Sequence, residues 1–136
     1  MLKQLNYEKK ILFLKLAKQT MESNGYVSDV EKEMFSTFCT ELNVEKTSYS
    51  DYNFQETAEQ IIIALNEICT FSEKKMILFE MITMAFADKD IDYMENELLN
   101  AMVQIFNITA ADEQQLRELS QDLVYIQQDI LNAIKK

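Results

Sequence analysis

Residues 86–99 read FADKDIDYMENELL and hold five carboxylates, Asp88, Asp90, Asp92, Glu95 and Glu97. Carboxylate oxygens suit hard divalent cations such as calcium and magnesium, and Asp88, Asp90 and Asp92 alternate as the first ligands of an EF-hand loop do. The pattern then departs from that loop. Its sixth position, a Gly in EF-hands, is Tyr93, and its twelfth, a bidentate Glu, is Leu99. What remains is a simpler calcium or magnesium site built from Asp88, Asp90 and Glu95.

The same residues admit a second reading. Asp92-Tyr93-Met94-Glu95 and, earlier, Ser28-Asp29-Val30-Glu31 each place a short acceptor three residues before a Glu. That is the pattern of a capping box, in which the Glu reaches back to the cap's own amide. The first turn of a helix favours carboxylates because its free amides carry partial positive charge, which repels a bound cation. Capping accounts for Glu31 and Glu95 without a ligand. It does not account for Asp88 and Asp90, which precede the cap.

The rest of the chain offers little further chemistry. It has no His, which removes Ser-His and Cys-His nucleophile pairs, the usual zinc-enzyme sites, a proximal haem ligand and the Glu-x-x-His di-iron motif. The net charge of −10 argues against nucleic acid, whose phosphates must be neutralised by Lys and Arg. Residues 1–20 alone carry +4, through Lys3, Lys9, Lys10, Lys15 and Lys18 against Glu8. That stripe is either a solvated face or a contact for an acidic membrane surface or partner. Cys39 and Cys69 lie in apolar runs and are expected as free thiols in a reduced, cytoplasmic protein. No secretory signal is read at the start, and Glu80 interrupts the most apolar stretch, Met76–Ala87. Membrane association is expected to be peripheral at most.

One Gly and no Pro in 136 residues point to a single all-helical domain over 1–136. Apolar periodicity and caps place helices over about Tyr7–Ser23 with Asn6 as N-cap, from Ser28 to about Leu42, and over Phe54–Thr70. Ser72 is read as the cap of a fourth helix, Glu73–Ala87, apolar nearly all round and therefore central. A fifth covers Asp92–Phe106, and a sixth, capped by Thr109, about 110–134. In that last helix Leu116, Leu119, Leu123, Ile126 and Ile130 recur at three-four spacing, the seam of a coiled coil. The seam either pairs with another chain, as in a homodimer, or lies along its own bundle. Met76, Met81 and Met84 are read as core, with an adaptable docking face as the alternative.

A shift of 64 residues lays NGYVSDVEKEMFSTFCTELNV (24–44) on DKDIDYMENELLNAMVQIFNI (88–108). Glu31 meets Glu95, Glu33 meets Glu97 and Asn43 meets Asn107, with apolar positions matched around them. Upstream, EKKIL (8–12) matches EKKMIL (73–78) with a one-residue slip. The expected architecture is a helical bundle of two pseudo-two-fold related hairpins, about 5–44 and 72–108, plus a long C-terminal helix.

The stretches NGYVSDVEKEMF and FADKDIDYMENELL, each an acidic loop entering an amphipathic helix, resemble the tellurite-resistance TerB-like family. The resemblance covers most of residues 5–108. It implies an all-helical bundle of two related halves, a role in bacterial stress responses alongside membrane-associated complexes and, in some members, divalent metal held by the motif Asp and Glu. By position these are Asp88 and Glu95, with Asn24 and Glu31 in the first half. Asn24 stands where the family has Asp, and Lys89 where it has Gly. The expected function is that of a non-enzymatic TerB-like protein binding a protein partner, with calcium or magnesium at Asp88, Asp90, Glu95 and Glu31 as modulator. The alternative is a metal-independent interaction module using the C-terminal seam.

Overall fold

The structure is a computed structural model, and it describes residues 2–23, 25–45, 52, 55–86 and 91–136. A 3-10 turn, Leu2–Gln4, precedes helices α1 (Tyr7–Glu22), α2 (Asp29–Leu42), α3 (Ala58–Ile68), α4 (Phe71–Phe86), α5 (Tyr93–Ile105) and α6 (Ala110–Lys135). The described residues are all-α, as expected. Each helix begins where a side-chain oxygen takes over an amide with no intrahelical partner. Asn6, Ser28, Thr57, Asp92 and Thr109 do so for α1, α2, α3, α5 and α6.

Two boundaries differ from the sequence reading. The cap of α4 is Thr70, not Ser72: Thr70 Oγ1 accepts the Glu73 amide at 3.1 Å, and Glu73 Oε1 accepts the Thr70 amide at 2.8 Å. That reciprocal pair is a capping box, and it starts the helix two residues earlier. Helix α3 is shorter than its apolar run because Thr57 and Gln60 form another such box immediately before Ala58. Its C-cap, Cys69, is extended (φ −92°, ψ 147°), so α3 and α4 are separated only by Cys69 and Thr70.

The 64-residue repeat holds in three dimensions, and without the slip. Helices α1 and α4 each have 16 residues and start at positions 7 and 71, and their caps, Asn6 and Thr70, stand 64 apart. Helices α2 and α5 start at 29 and 93. Both end on an Asn at φ 57°, Asn43 and Asn107, the only non-Gly residues with positive φ among those described. The same bonds close both ends: Val44 N to Cys39 O at 3.2 Å and Ile108 N to Val103 O at 3.0 Å. Asn serves because its short polar side chain tolerates the left-handed region that costs most residues strain.

Packing sets one further helix against the first helix of each half. Helix α1 packs against α2 and α3, and α4 packs against α5 and α6. The last helix thus lies on α4 much as α3 lies on α1, but it starts 52 residues after α3 and stands outside the 64-residue repeat. The halves meet where α1 touches α4 and where α5 touches α3 and α1. One core results, built from Phe13, Leu14 and Leu16 of α1, Phe35 and Leu42 of α2, Ile61, Ile62 and Leu65 of α3, and Ile77 and Leu78 of α4. Met81 and Met84 belong to that core, as expected of helical spacing. Both Cys are buried free thiols, and burial pushes the Cys69 thiol above its ordinary range.

Equivalence of the two C-caps has a direct consequence. Asn43→Ala and Asn107→Ala keep a β-carbon in the left-handed geometry but lose the polar side chain that makes it tolerable, so each should lower stability by about 1 kcal/mol. Urea unfolding of the single variants and the double variant should give similar, additive losses.

Candidate functional site

The acids singled out by the sequence divide into two groups. Glu31 and Glu95 are buried, 4% and 6% exposed, in the first turns of α2 and α5. Around Glu31 the full capping box is present. Ser28 Oγ accepts the Glu31 amide at 3.1 Å, while Glu31 Oε1 accepts from the Ser28 amide at 3.2 Å and the Ser28 hydroxyl at 3.3 Å. In the second half Asp92 Oδ1 accepts the Glu95 amide at 2.8 Å. Asp88, Lys89 and Asp90, with Asn24 in the first half, lie outside the described residues. Among the described residues no group of three or more His, Cys, Asp and Glu is placed to hold a metal ion.

A cation already sits beside the second junction. Arg117 of α6 donates from its guanidinium to Asn96 Oδ1 at 3.1 Å and to Glu113 Oε2 at 3.0 Å. It ties the first turn of α5 to α6 from one residue beyond Glu95. Nothing in the spacing of the sequence signalled this contact, which joins residues 21 apart on separate helices.

The basic stripe of α1 turns inward rather than toward an outside surface. Lys9 Nζ contacts both Glu73 oxygens at 2.9 and 3.2 Å. The carboxylate raises the Lys9 ammonium, while burial works against Lys9 and Thr70 at Glu73, whose carboxyl nonetheless ends below its ordinary range. Lys10 donates to Leu42 O at 2.8 Å, at the C-terminus of α2. Lys18, 7% exposed, donates to Tyr52 O, and Gln19 donates to Glu56 O. Lys15 pairs with Glu56 at 3.6 Å. These groups fasten Tyr52 and Glu56, between α2 and α3, onto α1. Tyr52 is buried, its ring edge-on to Phe35 at 5.4 Å.

What the fold leaves uncovered is apolar. Helix α6 faces α4 through Leu116, Ser120 and Val124, where Ser120 Oγ accepts from Thr83 Oγ1 at 3.1 Å. The seam runs along a different side. Leu119, Leu123, Ile126 and Ile130 are 49%, 36%, 55% and 52% exposed. Of the two alternatives for the seam, burial along its own bundle is met only by Leu116. At its N-terminal end the seam opens into a groove of about 450 Å³ lined by Met76, Phe79, Leu116 and Leu119, with Lys75 and Asp112 on its wall. From Tyr125 onward every residue of α6 is exposed.

In the sequence Glu80 is only a break in an apolar run. Glu80 of α4 is largely buried, and burial, helped by the negative charge of Glu41, pushes its carboxyl up to about 7. Folding therefore favours its protonated form.

Among the described residues the fold is a six-helix bundle in which α1–α2 and α4–α5 repeat at 64 residues, with an acid buried at the start of α2 and of α5. The family model of tellurite resistance protein TerB matches residues 13–118, and the chain belongs to that family. No curated protein and no solved structure matches the chain. The family match stops within α6, and the exposed seam from Leu119 onward lies beyond it. No helix among the described residues is long and apolar enough to cross a membrane.

Glu31→Ala should cost about 1 kcal/mol, because it removes the acceptor for the Ser28 amide and opens a buried site. Glu31→Gln keeps an acceptor oxygen there and should retain most of that stability, as thermal melts would show. For Glu80 the folded chain holds a proton that the unfolded chain releases in the ordinary carboxylate range. Its contribution therefore falls as pH rises from that range to about 7 and stays low above it. Glu80→Gln should remove this component, so that the variant gains on the parent between pH 5 and pH 8 in denaturant titrations.

Proposed function

We propose that this TerB-family protein works by contact with another protein chain rather than by catalysis, using the apolar surface of α6 and the adjoining α4 groove. The exposed seam Leu119, Leu123, Ile126 and Ile130 carries the reading. Scattered exposed apolar residues are ordinary, but an aligned strip rimmed by polar groups is the mark of an interaction surface. The charges of α1 are occupied within the fold, which leaves α6 as the more available surface.

Catalysis has little support. The chain has no His to act as base or nucleophile partner. The Glu31 carboxylate closes a capping box, Glu95 holds the matching position with its amide capped by Asp92, and Glu80 sits apart from both on α4.

The second reading is a divalent cation, calcium or magnesium, held by Asp88 and Asp90 with Glu95 at the start of α5. It is favoured by the alternating carboxylates of the loop, which the cap at Asp92 leaves unexplained. In that role the ion would join the loop to α5 and change the surface nearby. Calorimetric titration of calcium and of magnesium into the protein and into Asp88→Asn tests it. Heat lost in the variant supports the ion, and equal heats remove it.

For the protein-contact reading, the measurement is chemical cross-linking in the native host with the parent chain and Leu123→Asp. Leu123 is over a third exposed, so the substitution should leave the melting temperature within about 2 °C while abolishing the cross-linked species. A cross-link pattern unchanged by Leu123→Asp would rule out this surface.

A further inference from the structure

We infer that the chain covering the α6 seam is a second copy of this same protein, lying antiparallel. This deepens the protein-contact reading and rests on it. The spacing of the seam is the first argument. One antiparallel register sets Leu119 against the partner's Ile130 and Leu123 against the partner's Ile126, so all four exposed positions are matched at once. Three-four spacing on both helices is what knobs-into-holes packing needs.

Charge order along α6 supplies the second argument. The helix opens on Asp112 and Glu113 and closes on Lys135 and Lys136. The same register brings Lys136 near the partner's Asp112, on the wall of the groove beside Leu116 and Leu119, at both ends of the pair, and runs the two helix dipoles in opposite directions. A parallel pair would gather both acidic first turns at one end and the lysines at the other. The antiparallel register carries one adverse contact, Asp122 beside the partner's Asp129, which lies at the solvent edge where water and salt screen it. Both residues are exposed in the single chain.

Reach and area are consistent with the pairing. Helix α6 has 26 residues and α4 has 16, lengths of about 39 and 24 Å, so its last turns stand clear of α4 and can pass alongside a partner. Half-exposed Leu and Ile side chains each offer on the order of 60–100 Å², and with the groove atoms of Met76 and Phe79 each copy contributes roughly 500 Å². That total falls at the lower end of specific interfaces, so the dimer should be reversible and dissociate at about micromolar concentration.

Sedimentation equilibrium of the full chain from 1 μM to 1 mM, on the parent, Ile126→Asp and Asp129→Lys, tests the inference. Ile126 and Asp129 are both exposed in the single chain, so neither variant should disturb the fold, and circular dichroism checks that it does not. The parent should dimerise, Ile126→Asp should weaken the dimer at least 50-fold, and Asp129→Lys should tighten it several-fold by pairing with the partner's Asp122. A parent monomeric throughout, or a dimer indifferent to Ile126→Asp, overturns the second copy. A dimer broken by Ile126→Asp but weakened or unchanged by Asp129→Lys overturns the antiparallel register. A monomer in vitro whose cross-link in the host still depends on Leu123 would sink the second copy and leave the protein-contact reading standing.

Discussion

The contact between Lys9 and Glu73 constrains the whole architecture, because it joins residues that hold the same place in successive halves, 64 positions apart. Each is the third residue of its helix, three after its cap. Equivalent positions can touch only near the axis that relates them, as in a self-complementary dimer interface. The pair thus marks where α1 and α4 meet. Once these two apolar helices are set against one another, α2 and α3 pack around α1, and α5 and α6 around α4. The polar third-residue position is used differently each time: Lys9 offers its ammonium to the other half, and Glu73 serves both its own cap and the facing helix.

This arrangement explains why the basic first helix of a chain with a net charge of −10 has its lysines engaged within the fold. The lysines of α1 are spent on the carboxylate of α4, the end of α2 and the connection leading to α3. A buried ammonium such as Lys18 requires a partner, and the carbonyl of Tyr52 provides it. Tyr52 and Glu56, between α2 and α3, are therefore held by α1 and by the packing of the Tyr52 ring on Phe35. Glu80 is the opposite case. Its equivalent in α1, Leu16, is fully buried, so the second half carries a carboxyl at a core-like position, where burial and the charge of Glu41 raise its pKa.

Much of this was legible in the residues. Caps at Asn6, Ser28, Asp92 and Thr109 were visible as short acceptors before apolar runs, and the repeat was visible because its matches fall at core and cap positions together. The cap at Thr70 was missed because Ser72 is an equally good acceptor two residues on, and only the Glu73 amide's choice of Thr70 decides between them. The apparent slip between EKKIL and EKKMIL arose from matching like charges, whereas the fold matches helix starts and places Lys9 opposite Glu73. The role of α6 was half legible. Its seam could be read from spacing, but which face meets α4 depends on small residues, since Ser120 allows close approach and hydrogen-bonds Thr83. Of the candidate ligands, Glu31 and Glu95 are placed at buried helix starts, while Asp88 and Asp90 lie beyond the described residues.

The central claim is that two matched halves share one core centred on α1 and α4. Native-state hydrogen exchange reads this directly, since it reports the free energy at which each amide opens. The account predicts that the slowest amides fall within Leu14–Met21 and Leu78–Ala85 and open together at the free energy of global unfolding. Amides of one of these helices exchanging through a separate opening of much lower free energy, with the other still protected, would contradict it.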